Sequence, residues 1–193
     1  MRKLKLQVQI TVDGFIAGPI GEMNWLVWDW DEELKQYVAD ITESVDCIVL
    51  GRKLAEGFIP HWANVAANSD SQEYAAGRKF TDTKKIVFTK TLDTSDAVVK
   101  TWNNTLLAKG DIVEEVNQLK TQKGKDIIVY GGATFVSELV KNKLIDEFYL
   151  FVNPAIIGSG LSIFKEIEST QNLTLIDSKK FICGIVVLKY KQK

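Results

Sequence analysis

DIIVYGGATFVSELVKNKLIDEFYLFVNPAIIGSGLSIF, residues 126–164, runs strand, glycine pair, helix and strand without a break. Ile127-Ile128-Val129-Tyr130 is short, apolar and rich in β-branched residues, the pattern of a strand buried on both faces of a sheet. Gly131-Gly132 follows directly, and Phe135, Val136, Leu139 and Val140 then recur at helical spacing. A second strand is expected over about Glu147–Val152, ended by Pro154 and the Gly158-Ser159-Gly160 loop. The turn between strand and helix can hold a phosphate. Glycine lets the backbone approach a ligand, and the first helical N–H groups point outward at it. The same glycines would also serve a turn that is only tightly packed.

The chain before this segment alternates strands and helices. Leu4, Leu6, Val8 and Ile10 alternate with Lys5, Gln7 and Gln9, a period-two strand that runs into the Asp13-Gly14 turn and a loop through Gly18 and Gly21. That loop carries Trp25, Trp28 and Trp30, which either close the core or offer a stacking surface to a flat ring in a cleft. Asp31 is a helix N-cap candidate, with Glu32 and Glu33 suiting the first turn and Leu34, Tyr37, Val38 and Ile41 forming the apolar face. Asp46–Leu50 reads as a buried strand delivering Gly51-Arg52-Lys53 to its C-terminal end, followed by a short helical stretch. In an open α/β sheet that end is where ligands bind. Residues 58–68, with Pro60, His61 and Trp62, read as irregular; 71–80 reads as a helix, 85–88 as a strand followed by Thr89-Lys90-Thr91, 97–102 as a strand, and a helix starts near Asp111. After the central segment, Leu173–Leu175 and Ile182–Tyr190 suit an antiparallel hairpin, about residues 172–190, at the sheet edge.

The 193 residues carry 24 basic and 25 acidic side chains, which gives no electrostatic case for nucleic acid or an anionic membrane. Cys47 and Cys183 each sit in an apolar run and read as lone buried thiols of a reducing compartment. One histidine and two scattered cysteines make no zinc set, so no metal is expected. No apolar run reaches the ~18 residues of a membrane span, and no signal-peptide pattern opens the chain, so a cytoplasmic protein is expected. One α/β domain over residues 1–193, built on a mixed and mostly parallel sheet, accounts for the pattern.

Four segments share one order: VDGFIAGPIGEMNW, IVLGRKLAEGF, KIVFTKTL, and residues 127–164. Together they resemble the dihydrofolate reductase superfamily, and within it the stand-alone relatives of the RibD C-terminal domain, the riboflavin-biosynthesis reductase. The glycine pair, Leu144-Ile145-Asp146-Glu147, the Pro154…Ile157-Gly158-Ser159-Gly160 loop and the Leu-x-x-Phe of Leu161 and Phe164 carry most of the resemblance. It implies a three-layer fold and an NADPH-dependent reductase acting on a small heterocyclic or ribosylaminopyrimidine-type substrate, as in 5-amino-6-(5-phosphoribosylamino)uracil reduction. It implies contact of Gly131, Gly132, Ala133 and Thr134 with the pyrophosphate. Gly51, Arg52 and Lys53 would meet the phosphates and the adenosine side. Thr89 and Lys90 would meet the adenosine 2′-phosphate, and Val12, Ile16 and Ala17 the nicotinamide. A homodimer is also implied. Two departures stand out. The family often has Gly-Arg-Lys-Thr, whereas Leu54 here supplies no hydroxyl. Folate reductases place a carboxylate after the tryptophan loop, and here Asp29 and Asp31 are the candidates, with Asp29 preferred because Asp31 has a capping role. A dihydrofolate reductase activity, or a non-catalytic NADPH-binding dimeric module, are the alternatives.

Overall fold

The computed structural model describes residues 1–193. Strands are β1 (Leu4–Thr11), β2 (Val45–Gly51), β3 (Lys84–Phe88), β4 (Thr105–Ala108), β5 (Asp126–Val129), β6 (Glu147–Asn153), β7 (Leu173–Lys180) and β8 (Val186–Gln192). Helices are α1 (Glu32–Glu43), α2 (Arg52–Ala67), α3 (Tyr74–Asp82), α4 (Ala97–Lys100), α5 (Ile112–Thr121) and α6 (Ala133–Lys141). All eight strands join one sheet in the order β4-β3-β2-β5-β1-β6-β8-β7. The pairs from β4 to β6 are parallel, and β8 and β7 are antiparallel.

Connectivity explains the three layers. From β1 the chain steps outward to β2, β3 and β4, then returns to insert β5 between β2 and β1 and crosses β1 to reach β6. Parallel crossovers are right-handed, so outward and returning helices must lie on opposite faces. The two cores agree. Leu34, Ile41, Ala55, Ile59, Phe80 and Val99, from α1 to α4, meet Ile48, Leu50 and Ile128. Val116 and Leu119 of α5, with Val136, Leu139 and Val140 of α6, meet Cys47, Val49, Ile127 and Val129. Cys47 and Cys183 are both free.

Three local expectations are corrected. Residues 97–102 are not a strand. Val98 and Val99 imitate one, but a short helix buries Val99 and its neighbour Trp102, and the edge strand is Thr105–Ala108. Residues 58–68 are not irregular but belong to α2, which contains Pro60. An interior proline costs ~3 kcal/mol. Here it lies on the exposed side, while Ala55 and Ile59 are buried and Phe58 and Trp62 pack against Phe80. Finally, β1 has no solvated face. Lys5 and Gln7 are buried, and the Lys5 ammonium is held by Ser44 Oγ at 2.7 Å and by Asp126 at 3.0 Å.

Candidate active site

Two helices begin side by side at the C-terminal edge of the sheet, and neither start is capped by a side chain. β2 and β5 are parallel neighbours, with Val49 opposite Val129. α2 follows β2 with Gly51 as N-cap, and α6 follows β5 with Gly132 as N-cap; neither cap makes a side-chain hydrogen bond and neither first turn holds an acid. The contrast with α1 and α5 is sharp. Asp31 accepts from Leu34 N at 2.9 Å, and Asp111 accepts from Val113 N and Glu114 N at 2.9 and 3.1 Å, each helix having two glutamates in its first turn. The first N–H groups of α2 and α6 are therefore open, and their positive dipole ends are not offset by a carboxylate.

The chain also changes direction here. After β2 it runs outward to β3, and after β5 it runs the other way to β6. A crevice opens at such a switch point. The two helix starts meet across it: a Cβ on Gly51 would lie 2.8 Å from Phe135 Cβ, and one on Gly132 would lie 3.8 Å from Leu54 Cβ. Gly51 is thus a packing glycine. Gly131 and Gly132 are different. Their φ angles are +148° and +86°, and a Cβ on Gly131 would meet nothing within 4 Å. Tight packing does not account for them. They give the turn a left-handed backbone without side chains, with Gly131 itself buried, Gly132 and Ala133 half-buried and Thr134 exposed beside them. Paired, uncapped helix ends over bare backbone fit a pyrophosphate.

The flank on the β3 side is polar. Gly51 stands opposite Phe88, so Arg52 and Thr89 lie one residue beyond a paired position. Arg52 is half-exposed and pairs with Glu56 at 2.9 Å, while Lys53 and Lys90 are exposed. Thr89 is buried, and its hydroxyl oxygen accepts from Thr91 N at 3.1 Å and Leu92 N at 3.0 Å, so it shapes the turn after β3 rather than facing outward. The structure adds two charges that the sequence reading missed because it misplaced β4. Phe88 stands opposite Ala108, which brings Lys109 to the same edge, where its Nζ lies 2.8 Å from Asp93 Oδ2. Lys109 and the Ser95 N–H hold the Asp93 carboxyl down at about 2.

On the other flank two loops are zipped into one rim. Val12 N donates to Ala155 O at 2.9 Å, Ile16 N to Leu161 O at 2.9 Å, and Leu161 N to Ala17 O at 2.8 Å. The Asp13 carboxylate accepts from Ile157 N at 3.2 Å and Gly158 N at 2.7 Å. Its pKa is lowered, first by the Thr11 hydroxyl and then by those N–H groups. Ile16 and Ala17 are buried by this zip, whereas Val12 is exposed.

The tryptophan loop is tied to the sheet by fully buried Asn153. Its Oδ1 accepts from Val27 N at 3.0 Å, and its Nδ2 donates to Gln9 Oε1 at 2.7 Å and Phe151 O at 3.1 Å. Trp30 stacks on Phe151 and closes the core, Trp25 is half-buried, and Trp28 is exposed. The two acids of this region take different places. Both oxygens of Asp31 are committed, one to Leu34 N and the other to Cys183 N at 3.1 Å. Those N–H groups, Leu34 first, lower its pKa and keep it ionised, so it is a cap and not a proton donor near neutral pH. Asp29 is exposed beside exposed Trp28, so its carboxylate is not enclosed by the tryptophan loop.

A mixed eight-stranded sheet with helices on both faces, a switch-point crevice and a C-terminal antiparallel hairpin is the dihydrofolate reductase-like fold. Within that class the chain belongs to the RibD C-terminal domain family, whose model matches residues 2–187. It is 31% identical over 191 residues to uncharacterized protein YyaP of Bacillus subtilis (strain 168), covering 98% of this chain and 94% of that one. Among solved structures, a deaminase/5-amino-6-(5-phosphoribosylamino)uracil reductase from Thermotoga maritima superposes with a TM-score of 0.69 at 16% identity, covering all of this chain and 57% of the other. A pyrimidine reductase-like protein from Corynebacterium diphtheriae superposes with a TM-score of 0.65 at 13% identity, covering 100% and 92%.

Proposed function

We propose that this chain binds NADPH in the crevice between β2 and β5 and reduces a small heterocyclic substrate of the ribosylaminopyrimidine type. The observation that carries the reading is the pair of glycine-capped, acid-free helix starts that meet there. The family, and the reductase activity of the Thermotoga protein, supply the reaction class. When bound, NADPH would supply a hydride. The chain's own residues do the rest. N–H groups from Gly132 to Thr134 hold the pyrophosphate, and Arg52, Lys53, Lys90 and Lys109 surround the adenosine phosphate, with Thr89 fixing the turn beneath them. Ile16 and Ala17 back the rim at the nicotinamide end, and Val12 presents an apolar side chain there. An acceptor that takes a hydride on carbon must also gain a proton. Asp31 is committed and Asp29 solvated, so that proton is assigned to water.

Leu54 gives the direct test because it stands beside Gly132 at the start of α2. Leu54→Asp puts a negative charge where the anion binds, yet suits a helix N-terminus and should leave folding intact. Leu54→Thr supplies a hydroxyl donor worth about 1 kcal/mol, or about fivefold in affinity. Titration with NADPH should show binding lost in the first variant and tightened in the second. Unchanged affinity in both would remove the crevice as the phosphate site. The committed Asp31 favours a second reading, a nucleotide-binding module without turnover. NADPH binding with no absorbance loss across ribosylaminopyrimidine and pterin acceptors would select it.

A further inference from the structure

The rim of the crevice beside β3 and β4 carries acids that the proposed cofactor contacts leave unexplained. Four cations stand at three neighbouring strand ends: Arg52 and Lys53 after β2, Lys90 after β3 and Lys109 after β4. Neighbouring strands lie about 5 Å apart, so the four share one short rim. Two of them are already matched. Arg52 Nη1 lies 2.9 Å from Glu56 Oε1, one turn further along α2, and Lys109 Nζ lies 2.8 Å from Asp93 Oδ2. Lys53 and Lys90 take part in none of the chain's ion pairs. Asp93 is fixed by its own turn: its Oδ1 accepts from Ser95 N at 3.2 Å, and its N–H donates to Asp96 Oδ2 at 2.8 Å. Lys109 keeps that carboxyl ionised, with its pKa held down at about 2. The rim thus has two cations without a partner and two that each carry a carboxylate with them.

We propose that Glu56 and Asp93 set the balance between NADPH and NADH, by holding Arg52 and Lys109 as counter-ions that the adenosine phosphate must displace. The inference rests on the reading of the crevice as the NADPH site and adds what tunes it. A 2′-phosphate brings roughly −1.5 to −2 of charge near neutral pH, whereas NADH has a neutral hydroxyl at the same place. Each carboxylate opposes the phosphate twice. It occupies a guanidinium or ammonium that the phosphate would otherwise engage, and it repels the incoming charge. A hydroxyl suffers neither effect and can donate to a carboxylate, as a ribose hydroxyl does in dinucleotide sites built around an acid. The acids therefore weaken NADPH and spare NADH. Both pairs are exposed, with Arg52 and Glu56 at 38% and Lys109 and Asp93 at 50% and 58%. Pairs of that kind contribute little to stability, so either acid can be neutralised in a folded protein.

Titration of the full chain with NADPH and with NADH tests it. Glu56→Gln and Asp93→Asn keep the shape and remove the charge. Each should raise the ratio of NADPH to NADH affinity by about three- to tenfold, the size expected for one charge beside a dianion at an exposed site. The gain should come from tighter NADPH, with NADH unchanged or weaker. In the double variant the two gains should multiply, because the pairs share no partner. In about 1 M salt, where the screening length is about 3 Å, the gain should largely disappear. Asp82→Asn removes the acid of the Arg78–Asp82 pair, 2.8 Å apart at the other end of β3, and should leave the ratio unchanged. A ratio within about twofold of the wild type in both single variants, an equal gain for the two dinucleotides, or a gain that persists in full at high salt would overturn the proposal and leave NADPH binding in the crevice standing. A wild type that binds neither dinucleotide would remove the crevice reading and this inference together.

Discussion

Gly132 has a structural role in the turn after β5 and, on the proposed reading, a functional one as well. Its φ of +86° strains any side chain, but the surrounding space is open: the nearest atom to an added Cβ is Leu54 Cβ at 3.8 Å. Gly132→Val should therefore cost on the order of 1–2 kcal/mol in backbone strain without a clash, leave a folded protein, and abolish NADPH titration because the added atoms occupy the anion's approach. Normal NADPH binding by a folded Gly132→Val would return the glycine pair to a purely conformational role. On the same proposed reading, Arg52 and Lys90 would meet the cofactor's second phosphate. A charge-assisted contact is worth roughly 1.5–3 kcal/mol, so Arg52→Ala or Lys90→Ala should weaken NADPH by about ten- to a hundredfold and leave NADH nearly unchanged. Equal losses for both cofactors, or none, would show these cations solvated and uninvolved. The glycine pair was legible in the sequence because its neighbours on both sides are strongly patterned. The inward turn of the Thr89 hydroxyl was not, since it depends on where Thr91 and Leu92 place their N–H groups.

Among the elements, local pattern was decisive where periodicity was long and misleading where burial was local. α1, α5 and α6 announce themselves by spacing and, for α1 and α5, by their aspartate caps. α2 was hidden by Pro60, whose effect on an isolated helix is large but is overridden here by the aromatic packing of Phe58 and Trp62. The link between the loops after β1 and β6 was invisible to local reading, because its partners are some 144 residues apart. Its acid sensitivity follows from Asp13. A carboxyl whose folded pKa lies below its unfolded value of ~4 contributes stability that is present above that value and is lost as pH falls through the lowered one. The rim should thus be intact at neutral pH and open below about pH 4. Asp13→Asn should reproduce the opening at neutral pH, read as faster hydrogen exchange at Ile157 and Gly158. Exchange at those two amides that is indifferent to both pH and substitution would mean that the backbone zip alone holds the rim.

The whole molecule separates its proposed cofactor site from its densest ion pairs by edge. The C-terminal edge of the parallel strands carries open helix ends and four cations, of which Arg52 and Lys109 pair only with exposed or half-exposed acids. The N-terminal edge carries an ion-pair belt: Arg2 with Asp46, Lys3 with Glu147 at 2.6 Å, Lys5 with Asp126 at 3.0 Å, and buried Lys120 with Asp146 at 2.7 Å. The sequence reading anticipated the sheet's class but not its order, because inserting β5 between β2 and β1 is decided by crossover handedness and two competing cores rather than by any local pattern. Nor did it foresee that Lys3, Lys5, Arg2 and Lys120 would be matched one to one by acids distant in the chain. The separation makes a prediction at Glu147, which accepts from Lys3 Nζ and, at 2.9 Å, from the Tyr149 hydroxyl, and lies 3.8 Å from Lys189. Burial pushes its pKa up, but Lys3, Tyr149 and Lys189 outweigh that and the net shift is downward. Its contribution is therefore full above a carboxyl's ordinary range and fades in acid. Glu147→Gln keeps the shape and removes the charge. Lys3 is half-exposed and can recover water, so the loss is discounted to about 1–2 kcal/mol, or roughly 3–6 °C in Tm for a chain of this size. NADPH affinity should not change, because the belt lies at the far end of the strands from the crevice. Gly132→Val should do the reverse, losing the cofactor while keeping most of the stability. If Glu147→Gln weakened NADPH as much as it lowered Tm, the two edges would be coupled through the sheet, and the division of labour read from the fold would be wrong.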